Sequence, residues 1–253
     1  ADSEGEEGRY YVWTQGEIRQ ILGAEADLFC TFYGVGPEGN WEGKSILHIP
    51  RVLEEFALEK GLEADTLRSM LLTAEKELLA VRAKRAKPLL DDKILLGWNA
   101  LMLNAFCMAF SALGTDRYLE QAERTVEFIL SRFWDGEKWY HGYKDGKVKQ
   151  IALLDDLAYL IQSLINLQSV TGNKQYLEKA KAITSYVMEG YAVQEGPYFY
   201  YTHVEQKDLI VRKIELYDGA IPSGNAIMAH NLYCLGVIFD LPVWREQSRE
   251  MVR

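Results

Sequence analysis

One segment of this chain recurs 58 residues later, and no other feature narrows the possible folds as much. Gly114-Thr115-Asp116-Arg117-Tyr118-Leu119-Glu120-Gln121-Ala122 returns as Gly172-Asn173-Lys174-Gln175-Tyr176-Leu177-Glu178-Lys179-Ala180. The same offset lays Trp98-Asn99-Ala100-Leu101 over Asp156-Leu157-Ala158-Tyr159. A looser third copy puts Trp244 where Tyr176 stands and Gly224-Asn225-Ala226 over Asp156-Leu157-Ala158. Each copy reads as polar residues, a long apolar helix, a short turn and an amphipathic helix. Units of this length stack, because none can bury its apolar face alone. The polar start of every apolar helix then falls at one end of the stack, where functional groups are expected to gather.

At 253 residues and 48% hydrophobic content the chain can bury a large core in one or two domains. Its formal charge of -9 disfavours a nucleic-acid partner, which would want a basic face. Cys30, Cys107 and Cys234 are odd in number, widely spaced and set among apolar residues, so they read as inert thiols in a reducing, cytoplasmic setting. The opening run is acidic and glycine-rich with no signal-peptide pattern, and the last residues fall inside an outer helix. Both ends are those expected of a piece of a longer protein. Residues 94–113 carry no charge and are long enough to span a bilayer. Asn99, Asn104 and Ser111 interrupt them, however, and the equivalent helix after Asp156 holds Gln162, Asn166 and Gln168. A buried helix explains both copies, so no membrane partner is expected.

Residues 1–8 read as loop, Tyr10 to Trp13 as a short strand, and Thr14-Gln15-Gly16-Glu17 as a capping box opening a helix that Gly23 stops. An aromatic loop over 30–48 precedes helices near 51–60 and 64–83. Inner helices are expected over 94–113, 154–170 and 223–239, with an outer helix over 116–133. On that outer helix Tyr118, Leu119, Ala122, Val126, Ile129, Leu130 and Phe133 share a face. Trp139 to Tyr143 with Asp145-Gly146 reads as a hairpin, and Tyr198 to Thr202 as a strand pairing with Leu209 to Val211. The pattern is that of an all-α chain, an α/α toroid with small β-hairpins at one rim and an incomplete set of helical hairpins. A helical solenoid is the other arrangement such repeats permit. The division expected is an N-terminal extension and aromatic loop over 1–48, packed on toroid hairpins over 49–253.

Three acidic groups precede the inner helices: Asp91-Asp92, Asp155-Asp156 and Asp218, spaced 64 and 62 residues apart from Asp92 onward. An aspartate near a helix start caps orphan amides and suits the helix dipole, which accounts for one carboxylate per helix. Doubled aspartates on one rim also suit acid/base chemistry on a glycosidic bond, with one carboxyl protonated and one ionised. Asp156, Asp92 and Asp218 are therefore the candidate catalytic residues, with Asp156 foremost because a carboxylate among other acids resists ionisation. Trp98, Tyr159 and Tyr217 offer faces on which sugar rings stack, though core packing uses such residues equally well. Asn99, Ser223 and Asn225 offer amide and hydroxyl groups, and His230 lies one turn beyond Asn225. The histidines show no metal-ligand spacing, so neither metal nor cofactor is expected. Gly43-Lys44-Ser45 fails as a phosphate loop, because Glu38 stands where a glycine is required. The basic run Arg82 to Lys87 reads as a solvated loop pairing with Asp91 and Asp92.

Taken together, several stretches resemble the spermatogenesis-associated protein 20 family, which includes bacterial and archaeal thioredoxin-domain-containing proteins. They are Asp2 to Gly5 with Tyr11 to Thr14, Gly39-Asn40-Trp41-Glu42-Gly43, Asp91 through Asn99, Leu154-Asp155-Asp156, and Tyr217 through Asn225. The resemblance implies a six-hairpin toroid similar to glycosidases and N-acylglucosamine 2-epimerases, preceded in the family by a thioredoxin-like domain that this chain lacks. Two functions follow as expectations: a carbohydrate-active enzyme working on a sugar or other small molecule at the inner-helix rim, or a non-catalytic module partnering the thioredoxin-like domain. A histidine pair at the rim would favour epimerisation, and His230 is the one member the sequence offers.

Overall fold

The computed structural model describes residues 2–207 and 209–253. It divides into two compact units, Ala1–Asp91 and Asp92–Arg253.

The first unit opens on a ladder of β1 (Asp2–Ser3) against β2 (Glu6–Glu7), so residues expected to be loop are paired. Tyr10 and Tyr11 lie in a turn, and only Trp13 of the expected strand makes a bridge, to Ser45. Helix α1 (Gln15–Leu22) starts at the capping box, with Thr14 Oγ1 accepting from Glu17 N–H and the Glu17 carboxylate accepting from Thr14 N–H. Gly23, at φ 55°, ends it. Helix α2 (Ala26–Phe32) occupies the start of the supposed aromatic loop, and α3 (Leu53–Glu59) and α4 (Ala64–Arg82) follow. Trp13, Ile18, Phe29, Phe56, Leu67 and Leu71 share one core. The basic run is anchored here: the Arg85 guanidinium lies 3.9 Å over Trp13 and donates to the carbonyls of Tyr10 and Val12. Because α3 and α4 bury their apolar faces in this core, the boundary falls at Asp91/Asp92 and not at 48/49.

The second unit is the α/α toroid architecture, in three helical hairpins. Inner helices α5 (Leu96–Leu113), α7 (Leu154–Thr171) and α9 (Gly224–Ile238) lie side by side with α7 in the middle. Outer helices α6 (Asp116–Arg132), α8 (Gln175–Gly190) and α10 (Pro242–Met251) each pack on the inner helix before them. The two glycines of the repeat have the same task. Gly114 and Gly172 adopt left-handed backbone at φ 63° and 72°, and their N–H groups bond to Phe110 and Gln168 carbonyls to close α5 and α7. A three-stranded antiparallel sheet sits at the opposite end of α5: β3 (Ile94–Leu95), β4 (Tyr140–Lys144) and β5 (Lys147–Ile151), in that order. Asp145 and Gly146, both at positive φ, make its turn.

Two expectations need correction. The strand over 198–202 does not pair with 209–211. Phe199 bridges Ala192 and Thr202 bridges Leu153, because Asn225 clamps the Phe199 backbone against α9. Nor are the inner helices equally buried. Helix α7 has neighbours on both sides and buries Leu157, Tyr159, Leu160, Ile161, Leu164 and Leu167 around its whole circumference. Helix α5 meets the apolarity and length of a membrane span, yet it buries only the stripe Leu96, Ala100, Leu103 and Cys107 and leaves Trp98, Met102, Met108 and Leu113 exposed. Helix α9 likewise exposes Tyr233, Val237 and Ile238. Among the described residues α5 and α9 are the two ends of the arc, which is why their far faces stay uncovered.

Leu164→Ala, in the middle of α7, is expected to cost about 2–5 kcal/mol through lost contacts and a cavity that its neighbours cannot fill. Met108→Ala on the uncovered face of α5 should stay within about 0.5 kcal/mol of wild type. Urea denaturation of both variants checks the contrast, and equal losses would contradict the central placement of α7.

Candidate functional site at the inner-helix rim

The first-turn amides of a helix have no partner within it, and a helix start buried in protein must find acceptors there. Helix α7 solves this with Asp156, 3% exposed. Its Oδ2 accepts from Leu153 N–H at 2.8 Å, capping α7 itself, while Oδ1 reaches across to accept from Gly97 N–H of α5 at 2.9 Å. Oδ2 also lies 2.8 Å from Nδ1 of His141, which β4 delivers from the sheet. With three donors converging on it, Asp156 is bonded as a carboxylate and His141 Nδ1 carries the proton between them. That hydrogen bond raises the imidazole pKa, opposed by burial and by Lys93.

Asp155 turns the other way. Successive residues on a helix point about 100° apart, so if Asp156 faces α5 its neighbour can face α9. The Asp155 carboxyl lies against Gly224, the first residue of α9. Its Oδ1 is buried with no hydrogen bond of its own, and burial pushes the carboxyl up to about 6. The Gly224 amide offsets this in part, while the charges of Asp156 and Glu215 add to it.

The remaining candidates divide sharply. Asn225 is 3% exposed, and its amide is fully engaged: Oδ1 accepts from Phe199 N–H at 2.9 Å, and Nδ2 donates to the Phe199 and Glu215 carbonyls at 3.0 and 2.9 Å. Ser223 caps α9 by accepting from Ala226 N–H, and its own N–H donates to Asp218 Oδ1 at 2.8 Å. Tyr159 is buried, with its hydroxyl donating to the Pro222 carbonyl. Asn99 donates to the Leu95 carbonyl at 2.8 Å. These side chains hold the loops around the rim and have few polar groups left for a ligand. Asp92 pairs with Lys144, which holds its carboxyl below the usual range. Trp98, 68% exposed in the first turn of α5, and Tyr217, 93% exposed in the loop before α9, present open ring faces. His230 is exposed on α9 beside Cys234, its Nε2 3.6 Å from the sulfur. Asp92, Asp156 and Asp218 thus serve three different partners. The chemically distinctive group is Asp155, Asp156 and His141.

His141 escaped the sequence reading because it was weighed only for metal spacing. Its signal was the period of the hairpin, which places His141 on the same strand face as Tyr143, and Tyr143 packs on Phe128 and Phe133. Among the described residues no three His, Cys, Asp or Glu side chains assemble as a metal-binding group. Burial raises the thiol pKa of all three cysteines, that of Cys107 to about 11.

No family model matches the chain. Spermatogenesis-associated protein 20 of Mus musculus is 29% identical over 90% of this chain and 33% of its own length. The Homo sapiens protein of that name is 28% identical over 89% of this chain and 33% of its own. The chain is thus similar to spermatogenesis-associated protein 20 along nearly its whole length. It spans about a third of the length of the curated relatives it matches. Among solved structures, cellobiose 2-epimerase of Bacillus thermoamylovorans B4167 is similar at a TM-score of 0.54 and 15% identity, over 64% of this chain and 44% of that one. The GH76 α-mannanase of Bacteroides thetaiotaomicron gives 0.53 and 16%, over 79% and 56%. An inactive α-1,6-mannanase variant from Salegentibacter sp. HEL1_6, with two consecutive aspartates replaced by asparagine, gives 0.50 and 12%, over 94% and 69%. At such identities the likeness establishes the α/α toroid fold and nothing finer.

Asp155 yields a pH test. It binds its proton more tightly in the fold than in the unfolded chain, so its contribution is most favourable below the ordinary value of 3.8 and is lost as pH rises through about 6. Asp155→Asn is expected to gain stability relative to wild type from about pH 4 to about pH 7, by on the order of 1 kcal/mol once screening of a half-buried group is allowed for. Urea midpoints across that range check it. A difference that does not change with pH would mean that Asp155 titrates normally.

Proposed function

We propose that the inner-helix rim is a carbohydrate site, with Asp155 and His141 as its proton-carrying groups. The observation that carries this reading is their joint setting. One carboxyl is pushed up toward neutrality by burial, and one histidine is held against a buried carboxylate, both at the first turn of α7. General acid/base catalysis needs groups that exchange protons near the working pH, and environments that drive two neighbouring acids apart are how folds supply them. Asp156 acts here by holding His141, and Trp98 and Tyr217 offer stacking faces for the apolar side of a sugar ring. The toroid enzymes named above lend coarse support, and the mannanase inactivated at two consecutive aspartates shares with this chain the occurrence of such a pair at Asp155-Asp156.

A second reading keeps the site and drops the chemistry. So many rim side chains are engaged in holding loops, Asn225, Ser223 and Tyr159 among them, that the rim also suits a binding module. Its ligand would be a sugar or the thioredoxin-like domain that the family resemblance implies.

The test is a panel of disaccharides, aryl glycosides and free aldoses given to the full-length protein, followed for hydrolysis and for epimerisation. Turnover is expected, with Asp155→Asn and His141→Gln each lowering kcat/KM by about 100-fold or more. Turnover unchanged in both variants would reject the acid/base assignment. Saturable sugar binding without turnover would favour the binding module.

A further inference from the structure

The first turns of both helices flanking α7 carry a glycine where an α7 aspartate arrives. Gly97 meets Asp156, and Gly224 meets Asp155. Neither needs a left-handed backbone, so conformational freedom does not explain them. Space does. A Cβ at position 97 would stand 2.7 Å from Asp156 Oδ1, 3.4 Å from its Cα and 3.6 Å from Tyr159 Cδ2. A Cβ at position 224 would stand 2.4 Å from Asp155 Oδ1 and 2.9 Å from Leu154 Cγ.

We propose that Gly97 is a positioning residue for His141, acting through Asp156. A carboxylate is a rigid plane, so its two oxygens cannot be moved independently. Any side chain at position 97 pushes on Oδ1 of the buried Asp156. The carboxylate must then rotate or shift, and Oδ2 leaves its 2.8 Å contacts with His141 Nδ1 and Leu153 N–H. The missing side chain at Gly97 lets one carboxylate cap α7, tie α5 to it and orient the imidazole at once. Orientation also fixes chemistry: with Nδ1 engaged by Asp156, Nε2 is the ring nitrogen left to exchange a proton with a ligand. This inference deepens the acid/base reading of the rim and rests on it for its functional meaning. The Gly97–Asp156–His141 geometry can be tested without turnover.

The experiment follows the His141 ring proton resonance through a pH titration of the whole chain, with His141→Gln assigning it among the four histidines. Charged groups acting on the ring are Asp156 from α7 and Lys93 beside β3. Wild type should titrate above the ordinary 6.5. Gly97→Ala and Asp156→Asn should each lower the midpoint, because the carboxylate contact that raises it is lost. Combining them should add nothing, since both break the same contact. Gly97→Ala should keep a folded spectrum, because alanine is favoured over glycine within a helix by about 1 kcal/mol and offsets part of the steric cost. A Gly97→Ala midpoint equal to wild type would overturn the proposal. So would an unfolded Gly97→Ala chain, which would show that the glycine serves the fold and not the imidazole. A normal wild-type midpoint, unchanged by Asp156→Asn, would remove the pair itself. A protein that titrates as expected but turns over no sugar would leave this inference standing and defeat the catalytic one.

Discussion

Helix α7 begins among packed side chains, with Leu154 and Asp156 buried in its first turn, and the second unit is arranged around that fact. A buried helix start exposes amide donors whose cost, if left unpaired, is about 1–3 kcal/mol each. Asp156 meets the need with one side chain. It caps α7, takes an amide from α5 and takes the imidazole of His141 from the sheet, so that three elements converge on two oxygen atoms. The neighbouring residue, Asp155, turns toward α9. The inner helices are therefore joined at their N-terminal ends by polar contacts, and below that level by the apolar surround of α7.

The same economy shapes what the rim can do chemically. The Asp156 carboxyl, with three donors converging on its two oxygens, anchors the histidine. Asp155 has a single loosely placed amide beside it and a buried oxygen without a hydrogen bond, which makes ionisation expensive. Buried unsatisfied polar atoms are few in folded proteins, and one that persists at a helix start is a candidate for a role beyond stability. Two adjacent acids have thus been given opposite surroundings by a rotation of about 100° around one helix.

How much of this the sequence disclosed depended on how far each signal reached along the chain. The hairpins were legible because the repeat is local: Gly114 and Gly172 mark the same cap in two copies, and the capping box at Thr14 contains its own answer. The acidic rim was legible as a place, since doubled aspartates exceed what capping needs. Its wiring was not. That Asp155 would be a raised acid follows from its burial against α9, and His141 joins the site through a sheet whose first strand, Ile94–Leu95, was hidden in the run-up to α5. Asn225 was read as a ligand group for the same reason. Its amide pattern suits a sugar and an exposed backbone strand equally, and only the fold brings Phe199 to it. The first unit's short ladder and α2 were missed because segments of two to seven residues leave too little periodicity to read.

The uneven burial of the inner helices bears on where a ligand could sit. Helix α7 is flanked by α5 and α9, so its first turn is bordered by the first turn of α5 and by the loop that leads into α9. Those two borders carry the exposed aromatic rings, Trp98 on one and Tyr217 on the other. The loop is not slack where it meets the unit. Arg212 donates to the Thr202 and Gly190 carbonyls and lies 4.1 Å over the Tyr200 ring, while Asn225 holds the Glu215 carbonyl. These contacts keep Glu215, whose charge acts on Asp155, in place, while Tyr217 stays open to solvent. Asp155, Asp156 and His141 sit on a helix and a strand, and the aromatic border sits partly on a tethered loop. On the proposed reading, ligand preference can change at the exposed Tyr217 while the Asp156–His141 contact stays as α7 and β4 set it.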